Sequence, residues 1–188
     1  PERARLVCGF LGYDERPYNP LLTALPRMIH LPAAAGGATP GWLGTLLNIA
    51  VAESGSARPG SENVLARLSE LMFVEAIRRY IERLPPAQTG WLAGLRDPVV
   101  GQALAALHGG ARQPWTVERL ARHVGASRSM FAERFTEMVG QPPMQYLALW
   151  RMQLASHLLS EGRPVAAVAD AVGYESESAF SRAFKKLV

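Results

Sequence analysis

Two stretches near the end of the chain repeat one pattern, and the repeat limits what this part can fold into. L-A-R-H-V-G-A-S-R-S-M-F-A-E-R-F runs from Leu120 to Phe135, and V-A-D-A-V-G-Y-E-S-E-S-A-F-S-R-A-F runs from Val168 to Phe184. Each has a small residue followed four positions later by glycine, Ala121 to Gly125 and Ala169 to Gly173, and then two phenylalanines at i, i+4 spacing. Two short helices that cross steeply need a small side chain at the crossing. Glycine suits the left-handed conformation in which the first helix ends. Ser127 and Ser176 stand where they can cap the helices that follow. Phe131 with Phe135, and Phe180 with Phe184, put two rings on one face of each second helix and leave the opposite face polar. The spacing therefore predicts a helix, a tight turn and a helix, written twice. The Ala and Gly positions recur at an interval of 48 residues and the Phe pairs at 49, so the second turn is one residue longer.

Between the copies, Tyr146, Leu147, Leu149, Trp150, Leu154, Leu158 and Leu159 recur at three- and four-residue steps, which predicts a helix from Met144 to Leu159. Pro142-Pro143 starts it and Glu161-Gly162-Arg163-Pro164 stops it. At about 1.5 Å per residue it makes a rod of roughly 24 Å. Together with the flanking modules, that can separate the two second helices by about one DNA turn, near 34 Å.

From Trp115 to the end the chain resembles the DNA-binding domain of AraC/XylS-type transcription regulators. The resemblance rests on W-T-V-E-R-L-A, on S-R-S-M-F-A-E-R-F, on G-Q-P-P-M-Q-Y-L-A-L-W-R-M from Gly140 to Met152, and above all on V-G-Y-E-S-E-S-A-F-S-R-A-F. It implies a mainly α fold in which two helix-turn-helix modules, joined by a long helix, present their second helices to the major groove of double-stranded promoter DNA. Carried over position by position, the outward residues of the first module are Ser129, Ala132 and Glu133, with Arg128 near the phosphates. Those of the second are Glu177, Ser178, Ser181 and Arg182, with Lys185 close by. Arg182 leads, because a guanidinium can donate two parallel hydrogen bonds to guanine O6 and N7. Its alternative is a surface ion pair with Glu177 or Glu175. Ala132 offers only apolar contact, and Glu133 repels phosphate unless it accepts from cytosine N4, so the second module is expected to hold more of the sequence information. The resemblance also implies a further G-x-S-P-x-x-Y-type segment and a closing helix beyond Val188.

The earlier part of the chain has a different character. R-L-V-C-G-F-L-G-Y is a short β-prone run, and Met28 to Leu31 reads as another. Two strands make no stable sheet alone, so they are expected to complete a β-structure lying upstream. With N-P-L-L-T-A-L-P-R-M-I-H-L, this region resembles the end of the cupin-like sensor domain of the same regulators. Trp42 to Ala52 and Ser61 to Leu84 are expected to be helices, the second capped by Ser61 and ended by Pro85-Pro86. The apolar face of 61–84 has two candidate partners, the rest of the barrel or the same helix of a second subunit. The family resemblance favours a homodimer. Pro86 to Gly94 reads as a linker, and Asp97 as the cap of a helix from Pro98 to Leu107. The expected organisation is thus a sensor remnant with amphipathic dimerisation helices over 1–85, a linker with a short helix over 86–111, and the double helix-turn-helix over 112–188.

Residues 112–188 contain ten basic and seven acidic side chains, which supply +3 of the chain's +4. That is a mild bias, consistent with modest nonspecific DNA affinity that falls with salt. Eighteen of the twenty basic residues are arginine, which suits bidentate contacts. No catalytic or metal-binding set assembles. The histidines at 30, 108, 123 and 157 are scattered, and Cys8 has no partner for a disulfide. The carboxylate pairs Asp14-Glu15 and Glu175/Glu177 fall where acids cap and solvate, and G-G-A-T-P-G from Gly36 lacks a phosphate-loop lysine. No apolar run reaches membrane-spanning length. The reading is a cytoplasmic, non-enzymatic regulator without a cofactor. Its further partners are a small-molecule effector held by the N-terminal part and RNA polymerase. The alternative is a protein-interaction module that keeps the helix-turn-helix fold without reading DNA.

Overall fold

The computed structural model describes Cys8 and residues 10–12, 18–32, 41–56, 58–85 and 88–188. Among these residues there are ten helices and no strand. In chain order they begin with α1 (Pro20–Ala24), α2 (Trp42–Ser54), α3 (Ser61–Glu82), α4 (Trp91–Gly94) and α5 (Pro98–Gly109). They continue with α6 (Val117–His123), α7 (Arg128–Val139), α8 (Pro143–Ser160), α9 (Val165–Ala171) and α10 (Glu177–Leu187). The chain divides into two compact units, one of Pro1–Tyr13 with Pro26–Leu84, the other of Asp14–Leu25 with Pro85–Val188.

In the first unit α2 lies against α3, with Leu46 and Ala50 of one and Leu68 of the other buried and Leu65 and Met72 beside them. The expected cap at Ser61 is displaced by one residue. Gly60, at φ 87°, takes the N-cap position, and the Ser61 hydroxyl instead donates to Glu53 Oε1 at 2.6 Å. The reason is electrostatic: Glu53 is buried, and a buried carboxylate needs donors more than a helix end open to water needs an acceptor. Arg58 supplies a second donor at 2.5 Å. The Ser61 hydroxyl, foremost, and the Arg58 charge hold the Glu53 carboxyl below the usual range despite its burial. The strand expected at Met28 to Leu31 is absent. This segment is irregular and Met28 is exposed; among the described residues no strand lies beside it to take up its backbone groups. Cys8 and Phe10 to Gly12 form no strand either. The rest of the R-L-V-C-G-F-L-G-Y run, Asp14-Glu15, Gly36 to Pro40 and Pro86 lie outside the described residues.

Two cores organise the second unit. The first joins Val100, Ala103, Leu104 and Leu107 of α5, Leu120 and Ala121 of α6, Phe131 and Phe135 of α7, and Tyr146 and Leu147 of α8. The second joins Met152 and Ala155 of α8, Val168 and Ala169 of α9, Val172, and Phe180 of α10. At 100° per residue, Tyr146 and Leu147 point about 160° away from Met152 and Ala155, so the two cores occupy nearly opposite faces of α8. This explains why the helix is apolar around much of its circumference. Trp91 to Gly94, read from sequence as linker, is a helical turn with Leu92 and Ala93 buried, and the Gly90 amide donates to Met138 O at the end of α7 at 2.9 Å. Its apolar side chains, with those of α5, cover the inner side of the first helix-turn-helix.

Residues 18–25 also belong to this unit. The Tyr18 amide donates to Gln153 Oε1 at 3.1 Å, and Gln141 Nε2 donates to the Tyr18 hydroxyl at 2.8 Å. Beneath them His108 stacks on Trp150, with ring centroids 4.2 Å apart. The Tyr146 hydroxyl, which accepts from Trp91 Nε1 at 2.9 Å, is also hydrogen-bonded to His108 Nε2 at 2.6 Å. Burial pushes the His108 imidazole down to about 4, so it is neutral near pH 7.

Candidate nucleic-acid interface

The two turns are built alike. In the first, the Ala126 amide donates to Ala121 O at 2.9 Å and the Gly125 amide to Arg122 O at 3.3 Å. In the second, Tyr174 donates to Ala169 O at 2.9 Å and Gly173 to Asp170 O at 3.0 Å. Both are Schellman closures with glycine in the left-handed region, Gly125 at φ 69° and Gly173 at φ 80°. Ala121 and Ala169 are buried at the crossings. Ser127 accepts from the Met130 amide at 3.4 Å and Ser176 from the Ala179 amide at 3.2 Å, so each second helix is capped as its sequence predicts. Glu175 is the extra residue of the longer second turn.

Packing then decides which faces remain free. Phe131 and Phe135 are fully buried with ring centroids 5.7 Å apart, while Phe180 is buried and Phe184 half-buried. On the outward side of α7, Arg128, Ser129, Met130 and Glu133 are exposed and Ala132 is half-buried. On α10, Glu177, Ser178, Arg182 and Lys185 are exposed and Ser181 is half-buried. The residues singled out in each module thus share one open face. Met130 was not among them; its exposure on the same helix start is the signal that sequence reading passed over.

Electrostatics distinguish the two faces. Arg128 pairs with Glu118 of α6, both largely exposed. The Glu118 carboxyl is kept below its usual range by its own backbone amide, by the Thr116 hydroxyl and by Arg128. Such a surface pair is weak and exchanges readily for another anion. Arg182 forms no ion pair among the described residues, so the alternative partners Glu175 and Glu177 do not engage it. Beside the first module's face an open groove of about 690 Å³ is lined by Val117, Ala132, Thr136, Pro142, Pro143 and Met144 and edged by Glu133 and Glu137. Among the described residues no group of three His, Cys, Asp or Glu is placed to hold a metal ion, and no helix is long and apolar enough to cross a membrane.

Two polar supports of these faces go beyond what the sequence indicated: the tie of Asp97, expected only as a helix cap, to α7, and Arg151. Asp97, capping α5 through the Val99 and Val100 amides, also accepts from Arg134 of α7. Arg151, in the middle of α8, donates to backbone carbonyls of the turn between α5 and α6. The available signal for the second was a single charge inside the apolar stretch A-L-W-R-M-Q-L.

A family model described as cupin matches residues 1–82, and one described as a helix-turn-helix domain matches residues 120–188. A protein of Streptomyces lividans named as an AraC-like transcription regulator is 41% identical over 186 residues, covering 97% of this chain and 60% of that protein. The HTH-type transcriptional regulator AlkR of Acinetobacter baylyi is 38% identical over 169 residues, 89% of this chain and 55% of its own length. The chain thus spans 60% or less of the length of these relatives. A solved DNA-binding domain, that of AdpA in complex with a target DNA, aligns at 31% identity and TM-score 0.45 over 48% of this chain and 81% of that one.

Proposed function

We propose that the chain is an AraC-like transcription regulator, a reading supported by its likeness to such regulators and by the helix-turn-helix family match, and that it is a cytoplasmic, sequence-specific DNA-binding regulator that seats α7 and α10 in successive major grooves of a promoter operator. One observation carries this reading. Two helix-turn-helix modules with the same turn closure and serine cap turn their rings inward and a polar face outward, from opposite sides of one helix. The 18 residues of α8 span about 27 Å, which supports a separation near one DNA turn. In this reading Arg128 and Lys185 meet phosphates, and Ser129, Ala132, Glu133, Glu177, Ser178 and Ser181 face base edges. Arg182 reads a guanine.

The N-terminal domain takes a small-molecule effector, and RNA polymerase is the further partner. Two chains associate through residues 61–84. That assignment is supported by Val64, Leu71 and Val74, which lie within one arc of α3 and are 43%, 46% and 44% exposed.

Arg182→Ala is expected to weaken binding to an operator selected from random DNA by about 1 to 3 kcal/mol, roughly 5- to 150-fold, with the helical content unchanged. Unchanged gel-shift affinity removes Arg182 from the reading face. The acid-edged groove favours a second reading, in which the first module docks a protein. Binding that does not weaken between low and moderate salt selects that reading over DNA.

A further inference from the structure

Gly125 and Gly173 occupy equivalent turns in the same left-handed region, at φ 69° and 80°, yet their surroundings differ. A Cβ on Gly125 meets nothing within 4 Å. One on Gly173 stands 2.6 Å from the carbonyl oxygen of Arg112 and 2.9 Å from Arg151 Nη2. The second glycine is therefore required twice, for its conformation and for a close approach of backbone to backbone.

What it approaches is the turn at 111–113, which joins α5 to α6 and belongs to the first module. Arg151 holds that turn from α8: Nε donates to Ala111 O at 2.9 Å and Nη2 to Gln113 O at 3.0 Å. Its guanidinium carbon lies 5.8 Å from the centre of the Tyr174 ring, which belongs to the second module's turn and meets Phe180 edge-on at 5.7 Å. Arg112 Nη2 reaches Asp170 Oδ1 of α9 at 2.8 Å across the same seam, an exposed pair of little weight by itself. A planar fork with several donors can bond two carbonyls and lie over a ring at once. A lysine ammonium cannot.

We propose that Arg151 is a positioning residue which, with Gly173, locks the two helix-turn-helix modules at one mutual angle and so sets the half-site separation that the chain accepts. The proposal rests on the DNA reading above. α8 alone leaves the modules held on opposite faces of a rod, each through its own side-chain packing. The seam ties them to each other directly. Each base pair inserted between half-sites turns the second groove by about 36° and moves it by about 3.4 Å, so a fixed angle makes separation a specificity determinant.

The first arm of the test uses no DNA. In the full chain with Cys8→Ser, nitroxides at Glu137→Cys on α7 and Lys186→Cys on α10 report the distance between the reading helices. A single narrow distribution is expected, broadened or shifted by both Arg151→Met and Gly173→Ala. Arg151→Lys recovers it only in part, and Gly125→Ala, which adds strain without a clash, leaves it narrow. Circular dichroism confirms that each variant keeps its helices, and Arg151→Met stands as the deciding variant if Gly173→Ala loses them. In the second arm, operators whose half-sites are separated by added or removed base pairs are bound by the unaltered chain and by Arg151→Met. The variant is expected to lose the preference for one separation while keeping affinity for an isolated half-site. An unchanged distance distribution in Arg151→Met overturns the proposal whatever the DNA result. Equal loss on half-sites and full sites overturns it as well. If the unaltered chain selects no sequence at all, the DNA reading fails, and the distance measurement alone then decides whether Arg151 fixes the angle.

Discussion

Asp97 bears more of the first module's stability than its place in a connecting segment suggests, and Asp97→Ala tests this. Its Oδ1 accepts from the Val99 and Val100 amides at 2.9 and 2.8 Å, closing the start of α5, whose residues Val100, Ala103, Leu104 and Leu107 are fully buried. Its Oδ2 accepts from Arg134 Nε at 2.8 Å and Nη2 at 2.5 Å, tying α5 to α7. Loss of the cap costs about 1 kcal/mol. Loss of the charged pair costs about 1.5 to 3 kcal/mol, toward the lower end here, because the Arg134 side chain is 48% exposed and regains water while the Asp97 side chain is 3% exposed. The expected total is about 2 to 4 kcal/mol.

Asp97→Asn keeps a capping oxygen but loses the charge facing Arg134, and should cost about half as much. Urea unfolding followed by tryptophan fluorescence is suited to the measurement, since Trp91, Trp115 and Trp150 lie in the second unit and Trp42 in the first. Burial by itself raises the Asp97 carboxyl, but Arg134 and the two amides outweigh it and hold the group below its ordinary 3.8. The sign follows: the carboxylate's contribution is complete above about pH 4 and is lost as pH falls through the folded value. The Asn variant should lack that acid-side loss. An Ala variant within about 0.5 kcal/mol of the parent refutes the reasoning, and equal costs for Ala and Asn refute the capping share.

The remaining predictions concern the same unit. His108 is neutral when folded and charges more easily when unfolded, so its contribution is complete above about pH 6.5 and is lost as pH falls toward 4. Unfolding free energies from urea titrations across that range should fall by up to about 3 kcal/mol in the parent and stay flatter in His108→Gln; parallel curves refute the assignment. Gly125→Ala should cost about 1 to 2 kcal/mol from strain alone and Gly125→Asn less, because the added atoms meet open space; thermal melts that rank them the other way count against this.

Sequence made the repeated module legible because its determinants are local. A Schellman glycine, a serine cap and an i, i+4 pair of rings each act within one or two turns of helix, so Gly125, Ser127 and Phe131 could be placed without knowing any neighbour. Periodicity indicated only that each second helix keeps a polar face; the particular outward positions were what the family resemblance implied. Local cues failed where a distant partner decides. Ser61 has the residue type of a cap, but a buried carboxylate eight positions away claims its hydroxyl. Trp91 to Gly94 has the glycine content of a linker, but the first core draws its apolar side chains in.

By itself, then, the sequence determined two helix-turn-helix units, a helix between them, and the polar faces they offer. Only the tertiary structure decided that those units sit on opposite sides of α8, that Asp97 joins α5 to α7, and that Arg151 and Gly173 close the seam between modules. The last two depend on backbone carbonyls or charges brought together from residues 37 to 61 positions apart. No helical periodicity encodes such an encounter, because it is created when the chain packs.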